Sequence, residues 1–523
     1  MSIKLLKSTA VVSVFTFLSR ISGLVRDVVI TRYFGAGPAT DAFLVAFRIP
    51  NFLRRLFAEG AFSQSFVPVL SEYKTNKERE DVQRLVARVS GTLGLVLFVI
   101  TAIGVVAAPV LVMIFAPGFV EEAKADQFAM TADMLRWTFP YILFISLTAL
   151  ASGVLNTYGK FAIPAFTPVL LNVVLIAAAI WISPMFDRPI LGLAVGVFIA
   201  GLVQLLFQLP AVARLKVLAF PRVSTRDPGV RKIGKLMIPA IISSSAQQIN
   251  LLIDSWISTY LIAGSITWLY VADRLVEFPL GVFGIAIATV ILPSLSAKYA
   301  SADPEKFSRT MDWGVRWALV IGTPAMLGLV VLSAPLVVTI FQQGQFNQHD
   351  ALMTQYALMM YSTGLLGFIY VKVLAPGYLA RQDTKTPMWC SIISIVIKVI
   401  ISLILVPILI QKNIPEAHLG LAFTTALAAI LNAGMLLIGL IREGYYKPLP
   451  GWWSLIVKVA LASVAMVGVL LLCDLSIATW SARPLWERGM YLTLWVSIGV
   501  ATYFAALWIL RLDFIALLKH ADE

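Results

Sequence analysis

Residues 48–68 read RIPNFLRRLFAEGAFSQSFVP, a stretch that sets apolar side chains beside three arginines and a glutamate. The charged residues are Arg48, Arg54, Arg55 and Glu59. A charge at the centre of a bilayer costs several kcal/mol, so charged residues in a membrane span usually face the bundle interior or a water-filled cavity. The stretch therefore predicts a transmembrane helix that lines a charged cavity.

The composition of the whole chain is that of a polytopic membrane protein. Of its 523 residues, 59% are hydrophobic and only 13% are charged, which exceeds what a soluble chain needs to fill its core. The net charge of +13 is explained by the Lys and Arg that collect in cytoplasmic loops, so it does not indicate nucleic-acid binding. Cys390 and Cys473 lie in apolar runs and define neither a disulfide framework nor a metal motif.

Recurring apolar segments predict an all-α membrane protein with fourteen transmembrane helices, since roughly 20 residues suffice to span. The first helix begins like a signal peptide, but no small-residue cleavage site follows and the helical pattern continues to about Phe34. The second and eighth helices, over 36–72 and 266–300, are longer than the membrane is thick and must tilt, bend or protrude. The predicted centres lie near residues 20, 54, 101, 143, 172, 201, 247, 283, 326, 366, 398, 429, 464 and 499.

The distribution of basic residues predicts the orientation. Lys and Arg concentrate on the side of the N-terminus, in loops such as 74–84, 214–235 and 298–309. Because cytoplasmic loops carry the excess of Lys and Arg, both termini are expected in the cytoplasm.

Two pairs of landmarks indicate an internal repeat. SFVPVLSEY matches VILPSLSAKY through Pro68 and Pro293, and GVLNTYGKFAIPAF matches PGYLARQDTKTPMW through Pro164 and Pro387. The two prolines are 96 residues apart in the first half and 94 apart in the second. Six helices per half give a parallel repeat, an arrangement typical of transporters that work by alternating access. The expected divisions are an N-lobe at 1–228, a C-lobe at 229–445, and two further helices with a cytoplasmic tail at 446–523.

Helices 1, 2 and 8 carry more arginines than carboxylates. An alternative explanation is that these charges form local pairs, namely Asp41 with Arg48, Arg55 with Glu59, and Arg274 with Glu277. Such pairs would still leave more arginines than carboxylates in the three helices. A buried arginine needs an anion, and its planar fork suits phosphate or carboxylate, so a polyanionic substrate is expected in a cavity between the halves. The charged residues of the three helices are Arg20, Arg26, Asp27, Asp41, Arg48, Arg54, Arg55, Glu59, Asp273, Arg274 and Glu277.

No pattern indicates an enzyme or a cofactor. The three histidines, His349, His418 and His520, lie in predicted loops or the tail, and no Walker A sequence is present. Catalysis and direct use of ATP are therefore not expected.

Several long motifs resemble one family. SRISGLVRD, GAGPATDAFLVAFRIPNFLRRLFAEGAFSQSFVPVLSEY, ADRLVEFPLGVFGIAIATVILPSLS and VLAPGYLARQDTKTP are similar to the MurJ (MviN) lipid II flippases of the MOP exporter superfamily, and the likeness covers all fourteen helices. The resemblance implies two six-helix lobes that move lipid II, undecaprenyl-diphosphate-linked disaccharide pentapeptide, from the inner to the outer leaflet. It also implies a groove for the lipid tail on helices 13 and 14, contact with membrane lipids, and possible contact with the cell-wall synthesis machinery.

The resemblance also implies which residues bind substrate. Family cavity residues correspond here to Arg20, Arg26, Arg54, Arg274, Asp41 and Glu277. Further cavity candidates are Ser19, Arg55, Glu59 and Asp273.

A third group of residues concerns the driving force. Some family members bind a cation between helices 7 and 11, and Asp254 matches an acidic position there; Asp383 and Lys398 are the other candidates. Because an ammonium could occupy the place of the ion, we expect Asp254 and Lys398 to pair, with membrane potential rather than a monovalent cation as the driving force. The alternative is that Lys398 snorkels to an interface.

Two other functions remain open at this level. A MOP-type exporter of other lipid-linked oligosaccharides, such as O-antigen precursors, would share the arginines, whereas an exporter of cationic drugs should have an acidic cavity. A scaffold of the cell-wall machinery should have large soluble domains, which the sequence does not indicate.

Overall fold

The computed structural model describes residues 3–55 and 62–513, apart from the side chains at 3–10, 240–251, 285, 286 and 289. Every regular element in the described part is helical. All fourteen predicted centres fall in helical segments. The helices are α1 (Ile3–Phe34), α2 (Pro38–Arg54), α3 (Ser63–Asn76), α4 (Arg79–Val106), α5 (Ala108–Phe115), α6 (Ala125–Thr138), α7 (Tyr141–Thr157), α8 (Ala162–Ala177), α9 (Leu191–Arg214), α10 (Pro228–Ser258), α11 (Ser265–Pro279), α12 (Ile285–Ala300), α13 (Pro304–Val331), α14 (Ser333–Ile340), α15 (Gln348–Ser362), α16 (Leu365–Leu379), α17 (Lys385–Gln411), α18 (Leu419–Arg442), α19 (Trp452–Leu470), α20 (Ile477–Ala482) and α21 (Leu485–Ile509).

Nine helical spans among the described residues are long and apolar enough to cross a membrane. A tenth is reached if α15 and α16, which meet at a bend of 40°, form one span. A multi-pass membrane protein is therefore confirmed, while the count of fourteen stays a prediction. The helices outside this set include α1, α2 and α11, which carry candidate site residues; α2 and α11 have only 17 and 15 residues.

Each of the two long predicted helices contains two α-helices within the described residues. The second predicted helix is seen as α2, with Pro50 inside it, and α3. The eighth is an unbroken helical run in which a π-helical segment, Leu280–Gly284, joins α11 to α12. This segment directly follows Pro279, which has no N–H to donate to the helical ladder. Widened turns of this kind are frequent at functional sites.

The chain forms two compact units, Met1–Ile266 and Thr267–Glu523. In the first unit, α10 packs against α3 and α4, and its Ile233 is buried in a cluster with Phe66 and Leu85. The repeat would place this helix at the start of the second half. The division at 228/229 stays a prediction about the repeat, and it does not coincide with the packing unit.

An ion pair between the buried Asp227 and the half-buried Arg88 fixes the start of α10 in the first unit. Asp227 caps the helix by accepting the backbone N–H of Val230 at 3.0 Å, and it also pairs with Arg88 of α4. The segment that follows α9 is thereby fastened to α4.

The second unit repeats this arrangement with different residues. The buried Asp312 of α13 accepts the Tyr446 hydroxyl at 2.9 Å, the Trp452 indole N–H at 2.7 Å and the Leu449 backbone N–H at 3.2 Å. Arg316 pairs with the same carboxylate and donates to the Leu449 carbonyl at 3.1 Å. We call Asp312 and Arg316 the α13 clasp. It holds the segment after α18, so that α19 begins on the surface of α13.

The contacts of the α13 clasp predict that Asp312 stabilises the folded protein. Replacing Asp312 with alanine leaves Arg316, the indole N–H and the Tyr446 hydroxyl without their acceptor, and breaking a buried pair costs about 3–5 kcal/mol. We expect a clearly lower melting temperature in detergent solution. The matched control is Asp133→Ala, which removes an exposed i,i+3 pair with Arg136 worth at most about 1 kcal/mol. Equal melting temperatures for the two variants would contradict this role of Asp312.

Candidate functional site

Arg26 lies in α1 and is buried beside its neighbour in sequence. Its Nε and Nη2 donate to Asp27 Oδ1 at 2.9 and 2.6 Å, and its Nη1 donates to Asn172 Oδ1 at 3.0 Å. The Asn172 amide in turn donates to the Ser22 hydroxyl at 2.9 Å. The guanidinium plane is therefore fixed by α8 as well as by α1. Sequence reasoning assigned no role to Asn172, whose one signal is that it is a lone amide in an apolar run.

Ser19 and Arg20 precede this pair by about two turns. Ser19 accepts the Asn172 amide through its backbone carbonyl at 3.1 Å, so this contact does not use its hydroxyl. Arg20 is exposed on the first unit. Arg26 is thus held by partners in the protein, whereas Arg20 lies at the surface of its unit.

The arginines of the second predicted helix have separate environments. Arg48 donates to the Ser255 hydroxyl of α10 at 2.8 Å, and the half-buried Arg54 donates from Nε to Asn51 Oδ1 at 3.2 Å. Arg55 is exposed. Glu59 lies outside the described residues, so its pairing with Arg55 stays a prediction.

Asp41 is buried at the first turn of α2 and contacts the loop before α11. Its Oδ2 accepts the Gly264 backbone N–H at 2.6 Å. Gly264 has a φ of 94°, in the left-handed region that glycine adopts without strain. Lys124 holds the same loop by donating to the carbonyls of Thr259 at 2.8 Å and Leu261 at 3.1 Å. This contact of Asp41 fixes the chain where it leaves α10 and enters α11.

Arg274 and Glu277 form the predicted i,i+3 pair on α11. Nη1 of Arg274 lies 2.7 Å from Glu277 Oε2, while Nη2 donates to the Tyr270 hydroxyl at 3.2 Å. The guanidinium also lies over the Tyr270 ring, 4.9 Å from its centroid. Glu277 is half exposed and Asp273 is exposed. The pair is confirmed, and Tyr270, one turn before Arg274, is a contact that the sequence reasoning missed.

Lys398 is buried at the centre of α17, where its residue is 2% exposed. Ser394 and Ser402, one turn away on either side, are also buried, and the Ser402 hydroxyl bonds that of Thr424 at 2.8 Å. The alternative that Lys398 snorkels to an interface is therefore wrong, because its side chain is enclosed by protein in mid-helix. Asp254 is half-buried at the end of α10, in the other compact unit, and its pairing with Lys398 stays a prediction.

Asp383 has a local structural role. It accepts the backbone N–H groups of Lys385 and Thr386 at 3.0 Å each, at the start of α17. Burial alone would raise the pKa of this carboxyl, but hydrogen bonds from Thr386 and Lys385 bring the pKa below its usual range. At about 1.5 Å per residue, Lys398 lies roughly 20 Å further along the helix, so the two do not form one site.

The histidines and cysteines form no cluster within the part of the chain that the structure describes. His418 is buried at the start of α18, where Nε2 lies 3.1 Å from the Met353 carbonyl, and His349 is exposed on α15. Cys390 and Cys473 are separate, buried thiols. His520 lies outside the described residues.

A solved structure of another protein shares this fold. A solved inward-facing multidrug-resistance MATE transporter of the MOP superfamily superposes with a TM-score of 0.65, covering 83% of this chain and 97% of that one at 14% identity. This likeness shows a MOP-type fold.

A more specific match follows from two further comparisons and a family model. A solved lipid II flippase MurJ in an inward closed conformation superposes with a TM-score of 0.78 at 25% identity, covering 96% of this chain and 99% of that one. The probable lipid II flippase MurJ of Vibrio cholerae is 46% identical over 512 residues, 97% of this chain and 96% of the relative. The family model for lipid II flippase MurJ matches residues 30–489. The chain belongs to the MurJ lipid II flippase family.

Proposed function

We propose that this chain is a flippase that moves lipid II from the inner to the outer leaflet of the bacterial cytoplasmic membrane by alternating access. The observation that carries the proposal is family membership over nearly the whole chain. The arginines on α1, α2 and α11 agree with it, because a diphosphate is the anionic part of the substrate. We assign the chain transport and no enzymatic reaction.

We further propose fourteen spans arranged as two six-helix lobes, with α19 and α21 added to bind the lipid tail. These two helices expose large apolar side chains, and α19 docks on α13 through a cluster that includes Val320 and Leu455. The strongly exposed Trp453 and Trp508 lie near one end of the helix pair, and Trp486 lies near the other. Tryptophans at both ends are typical of helices that face lipid.

The diphosphate site of this proposal consists of Arg20, Arg26 and Arg274, with Arg54 beside them. Asp27 and Asn172 hold Arg26 in one orientation, whereas Arg274 pairs with a half-exposed carboxylate. A half-exposed partner is easily displaced, because solvent screens such a pair. Arg274 is thus able to exchange Glu277 for a phosphate as substrate arrives, and Tyr270 keeps the guanidinium in place during the exchange.

Depletion of the protein in its host tests the proposed function. Loss of a lipid II flippase should make lipid II accumulate in the inner leaflet while its synthesis continues. Accumulation of a different lipid-linked oligosaccharide, with lipid II unchanged, would instead favour the related exporter function and reject this one.

The orientation is a separate prediction. Both termini and the loops at 74–84, 214–235 and 298–309 should be cytoplasmic, because these loops hold most of the basic residues. A single cysteine in place of Lys77, in a background with Cys390 and Cys473 replaced by serine, should react with a membrane-impermeant thiol reagent only after the cells are opened. Labelling of intact cells would overturn the orientation.

A further inference from the structure

The segment between α9 and α10, residues 215–227, lies along α4 instead of extending into solution. Arg79 donates to the Leu215 carbonyl at 2.7 Å, and the Gln83 amide donates to the Lys216 carbonyl at 2.6 Å. We call residues 215–227 the strap. Its first residues are level with the first turns of α4.

The strap then approaches α4 very closely. The Arg222 backbone N–H donates to the Ala87 carbonyl at 2.8 Å, and the Ser224 N–H donates to the Thr92 hydroxyl at 3.0 Å. A Cβ on Gly91 would lie 2.5 Å from the Arg222 backbone, so glycine is required there. The strap therefore passes from the level of Arg79 to the level of Thr92, about 20 Å along the helix at 1.5 Å per residue.

Helix α4 indicates where this level lies in the membrane. Its last charged residue is Arg88, and residues 89–106 carry no charge. At about 1.5 Å per residue this uncharged part is about 27 Å long, close to the hydrocarbon thickness of roughly 30 Å. Phe98, Ile103 and Val106 are exposed along it. The strap thus reaches the point where the hydrocarbon begins.

The exposed side chains of the strap are of two kinds. Phe220 is 90% exposed and Val223 is 57% exposed, although large apolar side chains normally avoid water. Lys216, Arg222 and Arg226 are exposed among them. Apolar residues beside basic ones are the pattern of segments that lie in the plane of an anionic membrane surface.

We infer that the strap binds the anionic surface of the inner leaflet, with Phe220 and Val223 inserted below the phosphates and the basic residues at the headgroups. The lipid-facing surface of α4 continues into the strap, which favours lipid over a soluble protein as the occupant. The inference rests on the orientation given under the proposed function. Its consequence is that the link between α9 and α10 is fixed at a set depth in the membrane.

Site-directed spin labelling in proteoliposomes tests the inference without measuring transport. The background is the full chain with Cys390 and Cys473 replaced by serine, carrying Phe220→Cys with a nitroxide label. Collision rates with oxygen and with a water-soluble nickel complex give the depth of the label. We expect it roughly 5–10 Å below the phosphates in vesicles containing phosphatidylglycerol, and shallower in vesicles of phosphatidylcholine alone.

The matched control is Ser301→Cys, an exposed position in another loop predicted to be cytoplasmic, where the label should remain in water in both vesicles. A label at 220 that is as accessible to nickel as the label at 301 would overturn the inference and favour a soluble partner. Gly91→Leu should displace the strap and return the label at 220 to water; an unchanged depth would show that α4 does not position the strap. Absence of lipid II transport by the unlabelled parent protein, with the label at 220 still at depth, would count against the proposed function alone.

Discussion

Replacement of Arg274 by alanine should abolish transport of lipid II. The guanidinium is pre-oriented by Tyr270 and paired with a partner that a phosphate can displace. Hydrogen bonds to charged groups contribute about 1.5–3 kcal/mol, which corresponds to a loss of roughly tenfold or greater in binding, at tenfold per 1.4 kcal/mol. Arg274→Lys keeps the charge but loses the two-pronged geometry, so its activity should be intermediate. Arg20→Ala and Arg26→Ala should behave like Arg274→Ala.

The measurements are complementation of a depleted strain and translocation of lipid II in proteoliposomes. Arg309→Ala is the matched control, because Arg309 forms an i,i+4 pair with Glu305 on an exposed part of α13, away from the proposed site. It should complement fully. Full complementation by Arg274→Ala at normal expression would reject the site.

The second large effect concerns Lys398. If the buried ammonium pairs with Asp254, transport should proceed equally with sodium, potassium or choline at a fixed membrane potential. It should respond to the potential, since one charge moved across the full membrane is worth about 2.3 kcal/mol per 100 mV. Lys398→Met should stop transport, because removing one member of a buried pair costs about 3–5 kcal/mol. The double variant Asp254→Asn with Lys398→Met should recover part of the activity.

Lys412→Met is the control for this series, since Lys412 is exposed at the end of α17 and its loss should leave transport unchanged. A steep requirement for sodium in the parent protein would reject the pairing. An equal loss in the single and double variants would also reject it, because no coupling between the two side chains would then exist.

The sequence predicted those parts of the structure that depend on residues close together along the chain. Helix positions follow from apolar runs, and the Arg274–Glu277 pair follows from the fixed spacing of i and i+3 on a helix. The contacts of Arg26 with Asn172 and of Arg48 with Ser255 join segments far apart in sequence. Such contacts depend on how helices pack, which one sequence does not specify.

The burial of Lys398 also depends on how the helices pack. A lysine in an apolar run has two physical solutions, reaching an interface or being enclosed by polar neighbours. The buried serines one turn away on each side agree with the second, but only the packing of α17 against α18 decides between them. The repeat likewise predicted which segments correspond, and it did not predict that α10 docks on the first half.

Two sets of contacts, the Asp227–Arg88 pair and the α13 clasp, bear on how the chain folds during its synthesis. Each ties the helix that follows one of the predicted six-helix repeats back onto that repeat. A nascent chain that has inserted only through α9 still lacks Asp227 as the partner of Arg88, and Ile233 as part of the buried cluster. The first unit is complete in its packing only when α10 has left the ribosome. The second is complete only when α19 and α21 have, because Tyr503 and Leu507 of α21 belong to the cluster that also holds Leu455 of α19. We therefore expect biogenesis in the membrane to proceed in stages that end later than the predicted repeats do.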